Sequence, residues 1–345
     1  MVEKSLPGNL SAMDPLVSIL IPAYNAQAWV AETLRSALDQ TWSRKEIIVI
    51  DDGSTDQTLA IARRFASRQV SVISQPNRGA AAARNKAFSI CQGDYVQWLD
   101  ADDLLAPDKI SKQIEKAEKC ASDRTLFSGG WAYFMYRPHK AKFVPTVLWQ
   151  DLSPLEWLRL KMERAVFMQT GTWLVSRKLT EDAGPWDTRL LGDDDGEYFC
   201  RVLLASESVR FVPEAKAFYR ISGPSSLSYV GQSDKKLEAH LLSIKLHIKH
   251  LRSMEDSEMT RVASLKHLKT SLIYFYPERT ELVKQFQSFA TELGGRLEIP
   301  QLSWKYAWIQ KIFGWAAAKR AQLSYNRFKL SLLRSWDKLL FCLNV

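Results

Sequence analysis

"VQWLDADDLL", residues 96–105, holds an apolar run broken only by Gln97, and that run stops abruptly in three carboxylates, Asp100, Asp102 and Asp103. Acids placed where a buried strand ends have two readings. They cap and solvate the turn into a helix, or they hold something positively charged. The segments upstream set the context for choosing. "LVSILIPAY" is a β-branched run, followed by a helical-period segment over 26–40 with Val30, Leu34, Ala37 and Leu38 on one face. "EIIVIDDGS" is a second buried strand, after which Ser54 and Gln57 have the spacing of a capping box for a helix over 57–67. "VSVISQ", "GAAAARNKAFSIC" and "DYVQWLD" then read as strand, helix and strand.

This alternation predicts parallel βαβ units, an α/β fold whose mostly parallel sheet is covered by helices. In such sheets ligands bind beyond the carboxyl ends of the strands. That edge collects Tyr24, Asn25, Asp51, Asp52, Asn77, Arg78 and the three acids of the 96–105 stretch. Two acidic strand ends, with a glycine-led helix start and two arginines in "NRGAAAARN", are the groups a nucleotide diphosphate with a hard divalent cation requires.

The totals are compatible with this and exclude some classes. The chain has 345 residues, 46% of them hydrophobic, enough for one large core or two fused lobes. Its four cysteines are scattered without metal or redox spacing, which predicts reduced thiols and a cytoplasmic protein. No secretion signal is expected from the polar N-terminal residues, and no apolar run is long enough to span a bilayer. The net charge of +9 is uneven. From Gln301 onward eight basic residues face one acid, Asp337, leaving the rest of the chain nearly neutral.

Four ordered segments, "VSILIPAYNAQAWVAETLRSALDQTW", "EIIVIDDGSTDQT", "NRGAAAARNKA" and "DYVQWLDADD", resemble the nucleotide-binding half of the family 2 glycosyltransferases. The resemblance is dense over 15–110 and traceable to about 220. It implies the GT-A fold, a DXD motif holding Mn²⁺ or Mg²⁺, and a nucleotide-sugar donor, expected to be UDP-linked. It also implies inverting transfer to a glycan or lipid-linked acceptor in bacterial cell-surface polysaccharide synthesis. Carried onto this sequence, it puts Pro22, Tyr24 and Asn25 by the nucleobase and ribose, Asp51 and Asp52 at the base, and Arg84 near the donor, supporting charge on the leaving phosphate. Asp100 and Asp102 become the DXD acids, with Asp102 on the metal. Tyr24 as core packing and Asp51 as a strand-end cap remain the plain alternatives.

In the second half "GDDDGEYFCRVL" places acids at the head of a helical segment, which helix N-terminal electrostatics alone would favour. Aligned on Arg201, the resemblance makes Asp195 the general base, with Asp194 as the alternative register. It sets Trp186, Glu197 and Arg201 on the acceptor side, where Trp186 either stacks on a sugar or packs in the core. His240, His247 and His250 share a helical stretch with lysines and read as a solvated face.

The expected organisation is a flexible tail over 1–14, a GT-A domain over 15–230 divided near 125 into donor and acceptor halves, and a helical region over 231–345. In the last of these, Trp304, Trp308, Ile312, Phe313, Leu332, Leu333, Trp336, Leu339 and Leu340 recur at helical spacing among basic residues. A basic, Trp-bearing amphipathic helix reads as an anionic-membrane contact, which would make the protein peripheral on the inner membrane face; packing on the body is the alternative. Nucleic acid is not an expected partner, because the charge is confined to one tail and no binding motif accompanies it. The rival functions are a non-catalytic sugar-nucleotide binder or scaffold, and a nucleotidyltransferase, against which "IPAYNAQ" lacks a glycine-rich signature.

Overall fold

The computed structural model describes residues 14–223 and 233–343. The expected tail over 1–14 therefore lies outside the described residues except for Asp14, whose carbonyl accepts a hydrogen bond from Arg44.

Strands β1 (Val17–Ala23), β2 (Lys45–Asp51), β3 (Val70–Ser74) and β4 (Tyr95–Trp98) alternate with helices α1 (Val30–Leu38), α2 (Thr58–Arg63) and α3 (Ala80–Ile90). They pair in the order β3-β2-β1-β4, all parallel. Every residue of β1 is buried, as a strand covered by helices on both faces requires. The capping box expected at Ser54 and Gln57 does not form. Asp56 Oδ1 instead accepts from the Thr58 N–H, and Ser54 Oγ accepts from the Asn25 N–H across the strand ends.

The chain continues through β5 (Leu104–Leu105), α4 (Lys109–Ala117), β6 (Thr125–Phe134), α5 (Pro154–Arg164), β7 (Val175–Ser176), α6 (Arg177–Ala183), α7 (Asp194–Ala205) and β8 (Ser208–Arg220). β7 closes the first sheet, antiparallel to β4. β5, β8 and β6 form a second sheet whose β6–β8 register shifts between Gly129 and Gly130. A Cβ at Gly129 would lie 2.2 Å from the Ala215 carbonyl oxygen, so only glycine allows the two strands to close there. Gln97, the one polar residue in the apolar run, donates 2.9 Å to the Gly171 carbonyl and so ties β4 to the second half.

The rest is helical: α8 (Asp234–Met254), α9 (Glu258–Ser271), α10 (Thr280–Glu292) and α11 (Ala307–Cys342), the last broken at Gly314 (φ 82°). α8 packs on α7, and α9 on α5. His240 and His247 turn inward here, the latter against His267 of α9, and His250 reaches Glu197, contrary to the solvated face the sequence suggested for His240, His247 and His250. His247 Nδ1 lies 3.3 Å from His267 Nε2, and burial holds His247 well below the ordinary histidine range and His267 at about 4. They are neutral packing groups at neutral pH.

Candidate active site

The carboxyl ends of β1, β2 and β4 bring the predicted residues to one edge. Pro22 is buried within β1, while Tyr24, just beyond the strand, is half exposed. That exposure rules out core packing for its ring. Asn25 adopts a left-handed conformation (φ 48°), and its side-chain oxygen accepts from the Thr55 N–H at 2.9 Å, joining the β1 and β2 loops.

The two acids after β2 differ. Asp52 is a loop staple, its carboxylate accepting from the Arg78 and Gly79 N–H groups at 3.0 and 2.8 Å and from Gln75 at 2.7 Å. The expected base contact is therefore poorly served by Asp52. Asp51 accepts from Ser74 through Oδ2, whereas its buried Oδ1 has no partner. A buried acceptor without a donor is costly, so Asp51 is the better placed of the pair to meet a ligand N–H.

The three acids of the 96–105 stretch divide the same way. Asp103 is structural: buried, it accepts from the Arg220 N–H at 2.8 Å and from Gln169 at 2.5 Å. Arg220, which carried no sequence signal, also donates to the Asp102 carbonyl at 2.7 Å and to Glu32, fixing the loop from beneath. Neither Asp100 nor Asp102 takes part in that anchor through its carboxylate. Burial, with Asp100 adding repulsion, raises Asp102 to about 6.

Arg84 corrects one expectation. Its guanidinium is buried and bound at both ends, 2.7 Å from Asp100 and 2.6 Å from Asp194. Against burial, these carboxylates hold its pKa above the ordinary value. Each terminal nitrogen holds a carboxylate, so Arg84 joins the turn after β4 to the head of α7.

For Trp186 the structure decides between the two readings. It is 2% exposed, stacked on Tyr198 at 4.0 Å and covered by the Arg84 guanidinium at 4.3 Å. Both ring faces are occupied, so it is a core residue and not a sugar platform. Glu197 and Arg201 form an ion pair at 2.8 Å, with His250 3.0 Å from the carboxylate, below the first turn of α7. Against the upward push of burial, hydrogen bonds from His250 and Arg201 hold Glu197 below its ordinary value. The trio anchors α7 and leaves little of Glu197 for an acceptor.

The run of three acids at the head of α7 separates by partner. Asp193, in a left-handed conformation (φ 55°), accepts from Ser243 of α8 at 2.7 Å. Asp194 is taken by Arg84. Asp195 retains one weak contact, from the Thr170 hydroxyl at 3.2 Å. Burial, then Asp194 and Asp193, raises Asp195 to about 7, with Arg84 opposing and Asp100 adding to the rise. A carboxyl raised on folding contributes stability that is full below its unfolded value near 4 and lost as pH climbs to about 7. Asp195→Asn is therefore expected to melt higher than the parent at pH 8, with the gap closing toward pH 5. Thermal melts at the two pH values check this, and an equal gap at both would refute the buried, repelled carboxyl.

Among the described residues no three His, Cys, Asp or Glu side chains are arranged to hold an ion by themselves. Two neighbouring carboxylates, Asp100 and Asp102, nonetheless suit Mg²⁺ or Mn²⁺ bound through one or two protein carboxylates and the phosphates of a ligand. A cation there would offset the repulsion that Asp100 adds to the effect of burial on Asp102.

Residues 18–183 match the family model described as Glycosyl transferase family 2. An uncharacterized glycosyltransferase of Rickettsia typhi is 36% identical over 273 residues, covering 79% of this chain and 83% of that protein. The chondroitin synthase of Escherichia coli is 42% identical over 107 residues, 30% of this chain and 16% of that protein. The chain spans under half the length of several curated relatives it matches. Among solved structures, S. aureus TarS 1-349 in complex with UDP-GlcNAc superposes with a TM-score of 0.63 at 17% identity, over 80% of this chain and 81% of that one. At that identity the likeness concerns the fold.

Proposed function

Because this chain belongs to the family 2 glycosyltransferases and has the GT-A architecture, we propose that it moves a sugar from a nucleotide-sugar, UDP-linked by preference, to a hydroxyl of a glycan or lipid-linked acceptor, with inversion, in polysaccharide synthesis. The observation that carries this reading is the sorting of carboxylates described above. Asp103 and Asp193 are spent on structure and Arg84 bridges Asp100 to Asp194, while Asp102 and Asp195 have neither of those anchors and lie on either side of that bridge in the chain. The UDP-GlcNAc bound by S. aureus TarS supports the choice of nucleotide.

In this reading Tyr24 offers its exposed ring to the base, Asn25 shapes the ribose side, and Asp51 accepts from the base. Asp100 and Asp102 would hold a divalent cation, which when bound neutralises charge on the diphosphate. Asp195 takes the proton from the acceptor hydroxyl as that oxygen attacks the anomeric carbon. A hydroxyl is a poor nucleophile at neutral pH, and a base of pKa near 7 is matched to the task. Arg84 contributes by holding Asp100 and Asp194 in register, which keeps Asp195 opposite the donor.

Asp102→Ala tests the metal assignment. Calorimetric titration should show UDP affinity that depends on Mn²⁺ in the parent and is lost in the variant. Equal Mn²⁺-dependent affinity in both proteins would remove Asp102 from the site.

The tail supports a membrane-surface role. Asp337, its single acid, is consumed by Arg137 (2.8 Å) and the Tyr136 N–H (2.9 Å), docking the end of α11 on the segment just after β6. Trp315 and Lys319 dock its middle, through the Pro300 and Tyr276 carbonyls. Trp304, Trp308, Ile312 and Phe313 stay exposed among the basic residues. No helix among the described residues is long and apolar enough to cross a membrane. Changing Trp304, Trp308 and Phe313 together to Ser should abolish co-sedimentation with phosphatidylglycerol vesicles. Undiminished co-sedimentation would move the contact elsewhere.

A further inference from the structure

With Trp186 buried, the aromatic surface open to an acceptor lies elsewhere. In the second sheet Tyr133 of β6 pairs directly with Tyr219 of β8, and Trp131 with Ala217. Residues two apart on a strand share a face, so Trp131, Tyr133 and Tyr219 stand on one side of the sheet, where the small Ala217 leaves room. Trp131 lies beneath, edge-on to Tyr133 at 4.8 Å, and Phe167 leans on it at 4.8 Å from the loop before Thr170. Tyr133 and Tyr219 are 5.4 Å apart. Trp131 is buried, whereas Tyr133 and Phe167 are 48% and 40% exposed. The Tyr133 and Phe167 rings are thus open and rest on Trp131.

Two tethers place this cluster against the site. Tyr219 precedes Arg220, whose N–H binds Asp103, the neighbour of Asp102. Phe167 is three residues from Thr170, whose hydroxyl donates to Asp195. Three residues reach at most about 11 Å. The cluster therefore flanks the gap between the DXD acids and the candidate base, on the second-half side.

We propose that Tyr133 and Phe167 seat a pyranose ring of the acceptor, presenting its hydroxyl to Asp195. The proposal rests on the transferase reading above. Its chemistry follows from the ring surface. The faces of aromatic rings carry negative potential, which suits the C–H face of a pyranose. An aliphatic lipid chain would not need that feature.

The test uses saturation-transfer NMR of the full-length protein with a panel of methyl α- and β-pyranosides (gluco, galacto, manno and N-acetylglucosamine), beside UDP titration with Mn²⁺. Tyr133→Leu and Phe167→Leu keep apolar bulk and lose the ring face. Each should weaken binding of the retained glycoside about ten-fold while UDP affinity stays at the parental value, which also reports an intact fold. Phe167→Tyr should restore glycoside binding, and Asp195→Asn should leave it in place. Failure of every glycoside to bind, or equal binding by both Leu variants, would overturn the proposal. If the parent protein failed to bind UDP, the transferase reading would fall, and the acceptor assignment with it.

Discussion

Asp195→Asn is expected to lower turnover about 10²–10⁴-fold, the range removed with a general base, while UDP affinity in the presence of Mn²⁺ stays unchanged. Asparagine keeps the contact with the Thr170 hydroxyl and loses only the basic oxygen. Stopped assays of sugar transfer, paired with calorimetry on the same preparation, separate the two effects. Loss of UDP affinity would move Asp195 to the donor site; full activity would hand the role to Asp194. Asp194→Asn should behave differently, because Asp194 is an ion-pair partner of Arg84, and its loss should appear first in stability. In the parent, kcat/KM should rise with pH through about 7, where Asp195 gives up its proton.

Arg84→Met should cost about 3–5 kcal/mol of folding stability, the usual penalty when one partner of a buried ion pair is removed. The side chain is 5% exposed and lies between Asp100 and Asp194, 110 residues apart in the chain from the latter. Without it two carboxylates crowd against Asp195 with no guanidinium between them. Arg84→Lys should recover part of the loss, since a single ammonium cannot span both acids in the planar geometry of the guanidinium. Urea midpoints at constant m-value measure both variants. A loss below about 1 kcal/mol for Arg84→Met would mean that the pair is solvated and that the two halves are joined by other contacts.

The parallel sheet was legible because each strand is a near-continuous apolar run and each helix shows period 3.6, signals that burial on both faces forces into the sequence. The acids at strand ends were legible as a group for the same reason. Their individual roles were not. Whether Asp100, Asp102 or Asp103 faces the ligand depends on Arg220 and Gln169, which arrive from 117 and 66 residues away. The commitment of Arg84 likewise depends on a residue the chain delivers much later. Trp186 left two readings open, and its stacking on Tyr198 decides for the core. The inward histidines do carry a signal in the sequence: His240, Ile244, His247 and Leu251 recur at spacings of four, three and four, the period of a buried stripe.

The most direct test of the account follows a panel of UDP-sugars by NMR with Mn²⁺ and the purified protein, using water as the acceptor. Slow hydrolysis of one donor is predicted, with the first-formed sugar carrying the anomeric configuration opposite to that of the donor, and with the rate falling at least about 10²-fold in Asp195→Asn. Retained configuration, or equal rates in the parent and Asp195→Asn, would contradict a single displacement assisted by Asp195.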